Sequence, residues 1–319
     1  MPTKGFDDRN VIGLFYALYE EVRQNSWASR LSLFNPNSDR GTEEYGIFGG
    51  FPGMREWIGP RQLDKAVKKS YSITNRKFES SLPVNEEDLD REKTGLLEAY
   101  IADYAEQVPA GHWEDLILEL LNTNGPCLDG SNFFSATHQF AEETAQTNEL
   151  TASECPALNV GTATTPTPEE AARALMQVIG KIQLFQNDKG RLINRNAKGF
   201  TVMCSTVAIQ SAMLEAIASQ TLSSLVSNPL NGLKLAGLDV DVQLEGGYTG
   251  VAPTTEFLVF RKDGRLKPFL QQEEQMLTVD MLDRDSDHFK INGQIAILLK
   301  ARRNTGYGLW QHAARATMS

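Results

Sequence analysis

The chain is expected to adopt an α+β fold of about two compact units, and three observations predict it. Helix-period and strand-period segments are interspersed without a regular βαβ rhythm, which favours α+β over a doubly wound parallel sheet. The 319 residues amount to about two domains at roughly 150 residues each. Hydrophobic residues make up 41% and charged residues 23%, a balance able to bury a sizeable core. No apolar run approaches the roughly 20 residues of a membrane span, and the first residues lack a signal peptide's apolar stretch. A soluble, cytosolic protein is the class expected.

Each element follows from its local pattern. Residues 9–23 place Val11, Ile12, Phe15, Leu18, Tyr19 and Val22 at helical spacing, which predicts an amphipathic helix in an N-terminal arm. Asn35-Pro36-Asn37-Ser38 breaks that regularity. Tyr45 to Arg61 is aromatic and glycine-rich, and Tyr71 to Val84 alternates in part through Tyr71, Ile73, Phe78, Leu82 and Val84. Together they predict the strands of a long hairpin or extended loop.

Residues 94–122 carry the strongest helical pattern. Leu97, Tyr100, Ile101, Tyr104 and Val108 form one apolar stripe, continued by Trp113, Leu116, Ile117, Leu120 and Leu121. Pro109 interrupts it. An interior proline removes a backbone bond and clashes one turn back, so a kink or two abutting helices are expected. Asn122 to Pro126 is a stop signal. Further on, Thr167 is the expected N-cap of a helix reaching Phe185, with Pro168 in first position and Glu169-Glu170 in the first turn. Asn187 to Gly190 turns the chain. Phe200–Ser205 reads as a buried strand and Thr206–Gln220 as a helix with Val207, Met213, Leu214 and Ile217 apolar. Strands are expected at Leu238–Leu244, Phe257–Phe260 and Ile291–Leu299.

Residues able to carry chemistry are sparse. Cys127, Cys155 and Cys204 are far apart and odd in number, which indicates neither a disulfide framework nor a zinc ribbon. His112, His138, His288 and His312 show no paired ligand spacing, so no metal site is expected. Cys127 and His138 could be imagined as a nucleophile and its base, but Cys127-Leu128-Asp129-Gly130 reads as a hairpin turning at Asp-Gly. Gly49-Gly50-Phe51-Pro52-Gly53 and Gly246-Gly247-Tyr248-Thr249-Gly250 lack phosphate-binding patterns and read as flexible loop tips where glycine supplies positive φ. No catalytic residue, cofactor or metal is expected.

Charge is more informative. The net charge of −10 argues against a protein that coats DNA by neutralising phosphates. It also conceals a local split. Arg55, Arg61, Lys65, Lys68, Lys69, Arg76 and Lys77 face only Glu56 and Asp64 between positions 55 and 77. Glu79, Glu86, Glu87, Asp88, Asp90 and Glu92 then face only Arg91. A solvated surface explains this, and so does a projecting element whose basic stretch meets an acidic stretch on another copy. The contact candidates are Arg55, Trp57, Arg61, Lys65, Lys68, Lys69, Arg76, Lys77, Glu79, Glu86, Glu87 and Asp88.

Several segments, in order, resemble the major head subunit of Mu-like bacteriophages. Met54-Arg55-Glu56-Trp57-Ile58-Gly59 precedes Tyr71-Ser72-Ile73-Thr74-Asn75-Arg76-Lys77-Phe78-Glu79, similar in motif and spacing to that family's "MREWIG" and "Y-x-I-x-N-x-x-F-E" segments. The similarity continues through Cys127 to Phe134 with His138 after it, then Leu266-Lys267-Pro268-Phe269, and ends at Asn304 to Gln311. Ser131 to Phe140 and Thr144 to Pro168 depart from it.

The resemblance implies a Hong Kong 97-type capsid fold. Residues 1–44 would be the N-terminal arm, 45–92 the extended loop, 93–149 a peripheral domain with its spine helix, 150–290 mainly the axial domain, and 291–319 a strand returning to the peripheral domain. It also implies a subunit that self-assembles into pentamers and hexamers of an icosahedral head enclosing double-stranded DNA. Scaffold, protease, portal and decoration proteins of the phage would be its partners, without a membrane. Assembly would take place in the bacterial cytoplasm, with the virion as destination and no scaffolding segment removed. The competing readings are a Cys–His hydrolase and a phage decoration or tail protein.

Overall fold

The computed structural model describes residues 8–35, 41–48, 68–85, 96–139, 145–187, 189–219 and 237–319, with positions 56, 58, 87, 228 and 230 between them. In chain order the helices are α1 (Asp8–Asn25), α2 (Trp27–Leu31), α3 (Leu96–Ala105), α4 (His112–Thr123), α5 (Pro168–Leu184), α6 (Val207–Ala218) and α7 (Asp287–Asn292). The strands are β1 (Ser32–Asn35), β2 (Thr42–Phe48), β3 (Lys68–Thr74), β4 (Arg76–Asn85), β5 (Glu149–Leu150), β6 (Gly199–Cys204), β7 (Asp239–Leu244), β8 (Glu256–Arg261), β9 (Phe269–Leu282), β10 (Gln294–Tyr307) and β11 (Ala313–Thr317). The mixture is α+β, as the patterning predicts, and β2 and β3 form a two-stranded sheet where a long hairpin is expected.

Two compact units divide the chain. The first comprises Met1–Glu43, Ser72–Ile117 and Leu270–Gly306. Its sheet runs β1-β9-β10-β4, with β10 antiparallel to β4 from Gln294 opposite Asn85 to Arg303 opposite Arg76. Even-numbered Leu82 and Val84 of β4 and odd-numbered Ile295, Ile297 and Leu299 of β10 face one core, as a period of two requires. α1 closes that core with Phe15 and Tyr19, one turn apart and both buried.

The kink foreseen at Pro109 is a π-helical turn, Glu106–Ala110, between α3 and α4. Proline offers no N–H, and the ladder shifts by one residue: the Gly111 N–H reaches the Glu106 carbonyl, five residues back, at 3.3 Å. A Cβ on Gly111 would stand 2.5 Å from the Gln107 carbonyl oxygen, so the tight turn needs glycine. Part of the expected stripe is not buried: Ile101 and Ala105 enter the core, while Tyr100 is 57% exposed and Val108 38%.

The second unit comprises Glu44–Tyr71, Leu118–Phe269 and Tyr307–Ser319, around a sheet ordered β5-β11-β8-β6-β7. Every residue of β6 is buried, which explains its continuous apolar run. α5 begins with a complete capping box: the Thr167 hydroxyl accepts from the Glu170 N–H, and the Glu170 carboxylate accepts from the Thr167 N–H. α6 begins at the Thr206 cap and buries Ile209, Ala212, Met213 and Ala216, whereas Val207 and Leu214, expected inside, are exposed.

Several segments differ from the sequence reading, three of them instructively. β9 passes unread because Gln271, Gln272 and Glu273 interrupt its alternation while being buried themselves. The expected strand Ile291–Leu299 is displaced: Ile291 belongs to α7, which Gly293 ends in the left-handed region at φ 65°, and β10 continues to Tyr307. The Gly246–Gly250 loop is no flexible tip. Its glycines do not adopt positive φ, and a Cβ at Gly250 would collide with Glu256 and Tyr248. Glu256 accepts from the Val251 and Ala252 N–H groups, while Asn122 bonds Gly247 and Thr249. Gly49 to Gly53 lies outside the described residues.

Candidate functional site

Of the charged contact candidates, Arg76, Lys77 and Glu79 share β4, the outer strand of its sheet, and all three are exposed. The Arg76 guanidinium lies over the Phe78 ring at 5.3 Å. Glu79 stands opposite Lys300 in the ladder, and Lys77 opposite Arg302. Lys68 and Lys69 lie in β3, described by its backbone, and Glu87 is exposed. Arg55, Trp57, Arg61, Lys65, Glu86 and Asp88 lie outside the described residues.

A second charged surface escapes attention when the helix is read only for its apolar stripe. From Thr94 to Thr123 the chain holds Glu98, Asp103, Glu106, Glu114, Asp115 and Glu119, and neither lysine nor arginine. Counting charges along the helix would have found it. The Glu114 carboxylate accepts from the Ser26 hydroxyl at 2.5 Å. The Asp115 carboxylate has no hydrogen-bond or ion-pair partner among the described residues, and partial burial raises its carboxyl above the usual range. It lines a cleft of about 250 Å³ beside the π-turn, together with apolar Pro109, Leu277, Leu299 and Ala301 and charged Glu79 and Lys300. Phe78 and His112 wall the cleft, their rings edge to face at 4.3 Å. Arg303 seals its base: the buried guanidinium donates to the Pro109 carbonyl at 3.0 Å and stacks on Trp113 at 4.7 Å.

Cys127 and His138 do come together, through Asp129. The hairpin closes as its Asp-Gly predicts, with Gly130 at φ 88° and the Cys127 N–H donating to Ser131 at 2.8 Å. The Asp129 carboxylate accepts from the Cys127 thiol at 3.1 Å, from the Ser131 N–H at 3.0 Å, and from His138 Nδ1 at 2.7 Å. Burial alone would push its carboxyl up, but His138, Cys127 and Ser131 together hold it below the usual carboxylate range.

The other ring nitrogen, Nε2, faces the Asn148 Oδ1 at 3.0 Å. That atom is fixed as an oxygen, because it accepts from the Ser135 N–H while the Asn148 Nδ2 donates to the Phe133 carbonyl. Both imidazole nitrogens are thus engaged, Nδ1 with the Asp129 carboxylate and Nε2 with the Asn148 amide oxygen. Trp310 covers the ring, parallel at 3.9 Å.

This node is built neither for nucleophilic catalysis nor for a metal. A general base needs a ring nitrogen open to its substrate, and both nitrogens of buried His138 are engaged within the fold. Burial and the neighbouring Asp129 push the Cys127 thiol well above its usual range, away from thiolate. Cys127, Asp129 and His138 form a set of metal-ligating types that sequence spacing did not foresee. Nitrogen and oxygen ligands of one tetrahedral zinc would stand about 3.3 Å apart, whereas 2.7 Å is the length of a charge-assisted hydrogen bond.

Residues 23–164 match the family model described as the Mu-like prophage major head subunit gpT. Two relatives match over part of the chain. The major capsid protein of Escherichia phage Mu is 31% identical over 104 residues, covering 32% of this chain and 34% of that protein. The Mu-like prophage FluMu major head subunit of Haemophilus influenzae is 28% identical over 119 residues, covering 36% of this chain and 38% of that protein. The aligned part thus spans little more than a third of either relative's length. The asymmetric unit of the bacteriophage PhiM1 mature capsid matches over 92% of this chain and 87% of that one, with TM-score 0.57 and 10% identity. The fold is therefore that of tailed-phage capsid proteins, the Hong Kong 97 type.

Proposed function

We propose that this chain is a structural major capsid subunit, not an enzyme, that assembles with copies of itself into pentamers and hexamers of an icosahedral tailed-phage head around double-stranded DNA. The observation that carries this reading is the head-subunit family match over residues 23–164. The capsid fold extends over nearly the whole chain and supports it. So does the node at Cys127, whose hydrogen bonds leave neither a nucleophile nor a base. The acidic balance of −10 suits a container: a shell that repels phosphate lets the genome be packed and released.

On this reading residues 1–44 act as the arm, 45–92 as the extended loop, 93–149 as the peripheral domain with its spine, 150–290 mainly as the axial domain, and 291–319 as the returning strand. Scaffold, protease, portal and decoration proteins are the partners, the host cytoplasm is the place of assembly, and the virion is the destination. Electron microscopy of the expressed protein, with its scaffold where needed, tests it. Closed shells, or rings of five and six, are expected; a persistent monomer under all conditions would overturn the reading.

A further inference from the structure

Two connections of the second unit gather positive charge in a chain whose net charge is −10. Between α5 and β6, positions 187–198 hold Lys189, Arg191, Arg195 and Lys198 against Asp188. From the last residue of β8 towards β9, positions 261–267 hold Arg261, Lys262, Arg265 and Lys267 against Asp263. Eight of the chain's 31 lysines and arginines fall in these two short stretches, with only two of its 41 acids, so the remainder is more acidic than the total suggests.

The fold fastens the two stretches into one face. Buried Asn194 donates to the Ile182 carbonyl at 2.8 Å and to the Gln311 carbonyl at 2.5 Å, and its Oδ1 accepts from Arg261 at 2.9 Å. The Asp263 carboxylate accepts from Arg261 Nε at 2.7 Å and from the Lys198 N–H at 2.8 Å. The neighbouring acids are already engaged: Asp263 holds Arg261, while Asp239 and Asp241 both hold Lys262. Lys189, Arg195 and Arg265 are exposed with no hydrogen-bond or ion-pair partner for their side chains among the described residues. Arg191 and Lys198 are exposed as well.

Resting on the capsid reading, we propose that this face is turned towards the packaged genome and holds the phosphate backbone of double-stranded DNA. A duplex carries one charge per ~1.7 Å of its axis, so cations spread over two loops find phosphates in any register. Arginine adds forked bonds to phosphate oxygens. An acidic polypeptide suits the face less, because pairing with its main chain needs free N–H and C=O groups. These loops pair theirs internally: the Asn187 N–H reaches Arg191, the Ile193 N–H Phe185, and the Lys262 N–H Gly199. Contacts to phosphate alone position a duplex without reading its sequence. A shell acidic elsewhere repels DNA between such points, so the genome is placed without being gripped.

The test begins with the unassembled full chain and a duplex of about 20 base pairs, followed by fluorescence anisotropy from about 50 to 200 mM salt. The logarithm of the binding constant should fall with that of salt at a slope of about −4 to −5, as about five phosphate contacts require. Arg195→Ala with Arg265→Ala should reduce the slope by about 2 and the low-salt affinity at least about tenfold, with the melting temperature unchanged. Lys77→Ala with Lys290→Ala, exposed cations of the first unit, should change neither. In shells, Lys189 and Lys198 should react more slowly with an amine reagent when DNA is inside than when it has been emptied out. Equal losses in the two pairs, equal labelling of full and empty shells, or tighter binding of polyglutamate than of duplex would each overturn the assignment. Shells that form from a chain unable to bind duplex sink the DNA face alone. An unaltered chain that makes neither shells nor rings sinks the capsid reading, and the inward orientation falls with it.

Discussion

The buried node at His138 and the cleft at Asp115 hold similar side chains under opposite conditions. At the node, Asp129 is bonded by Cys127, Ser131 and His138, both His138 nitrogens are engaged, and the ring is covered by Trp310. At the cleft, a carboxylate of the same type has no partner among the described residues and lies at the surface. The difference is instructive because residue type alone ranks them the wrong way round. Cysteine, aspartate and histidine in contact look like chemistry, yet their complete pairing makes them a structural lock. A single aspartate beside a helical kink looks ordinary, yet its missing partner leaves it available to another molecule.

The most severe way to break the comparison is to unpair the node. His138→Ala leaves the Asp129 carboxylate buried without its imidazole partner; removing one partner of a buried pair costs about 3–5 kcal/mol in other proteins. Urea denaturation followed by tryptophan fluorescence should show a loss of that size. Cys127→Ala, which removes only a weak thiol donor, should cost about 1 kcal/mol or less. Equal losses in the two variants would mean that packing, not the ion pair, holds the hairpin. The same Cys127→Ala chain should still assemble, whereas a hydrolase would be inactivated.

A third histidine sharpens the contrast through pH. Burial, with the Arg261 charge second, pushes the His312 imidazole down to about 4. Unfolded, an ordinary histidine takes up its proton near 6.5. The unfolded chain therefore binds the extra proton first as pH falls. Stability is unaffected above about 6.5, declines between there and about 4, and levels off below. The full decline corresponds to about 3 kcal/mol at about 1.4 kcal/mol per pH unit. Replacing His312 with glutamine should remove that slope from urea midpoints measured at pH 7 and pH 4.5. The node should respond later: the Asp129 carboxyl lies below the usual carboxylate range, so its contribution is lost only as pH falls through that lower value.

How much of this was legible in the chain depended on whether local chemistry and burial agreed. The capping box at Thr167 and the break at Pro109 were readable because each acts within a few residues, whatever surrounds it. β9 was hidden because Gln271, Gln272 and Glu273 are buried by distant parts of the fold, such as Arg303, whose charge opposes the upward push of burial on the Glu273 carboxyl. β11 was hidden because Ala313, Ala314 and Ala316 carry too little side chain to print a pattern, although all are fully buried. The loop at Gly250 was misread because the glycine answers to Glu256 and Tyr248, not to its own φ. The node needed three dimensions: Asn148 and Trp310, which fix and cover His138, are invisible from the spacing of Cys127 and His138.

The smallest expected effect on stability falls on Asp115. Partial burial raises the Asp115 carboxyl above its usual range, so near neutral pH the charged form is held at some cost to the fold. Asp115→Asn keeps the shape and removes the charge. Its urea midpoint at pH 7 should change by no more than about 0.5 kcal/mol, towards greater stability. The residual pH dependence due to Asp115 should vanish in the same titration. A clear loss of stability would mean that Asp115 has a partner within its own chain, and the contrast with His138 would then fail.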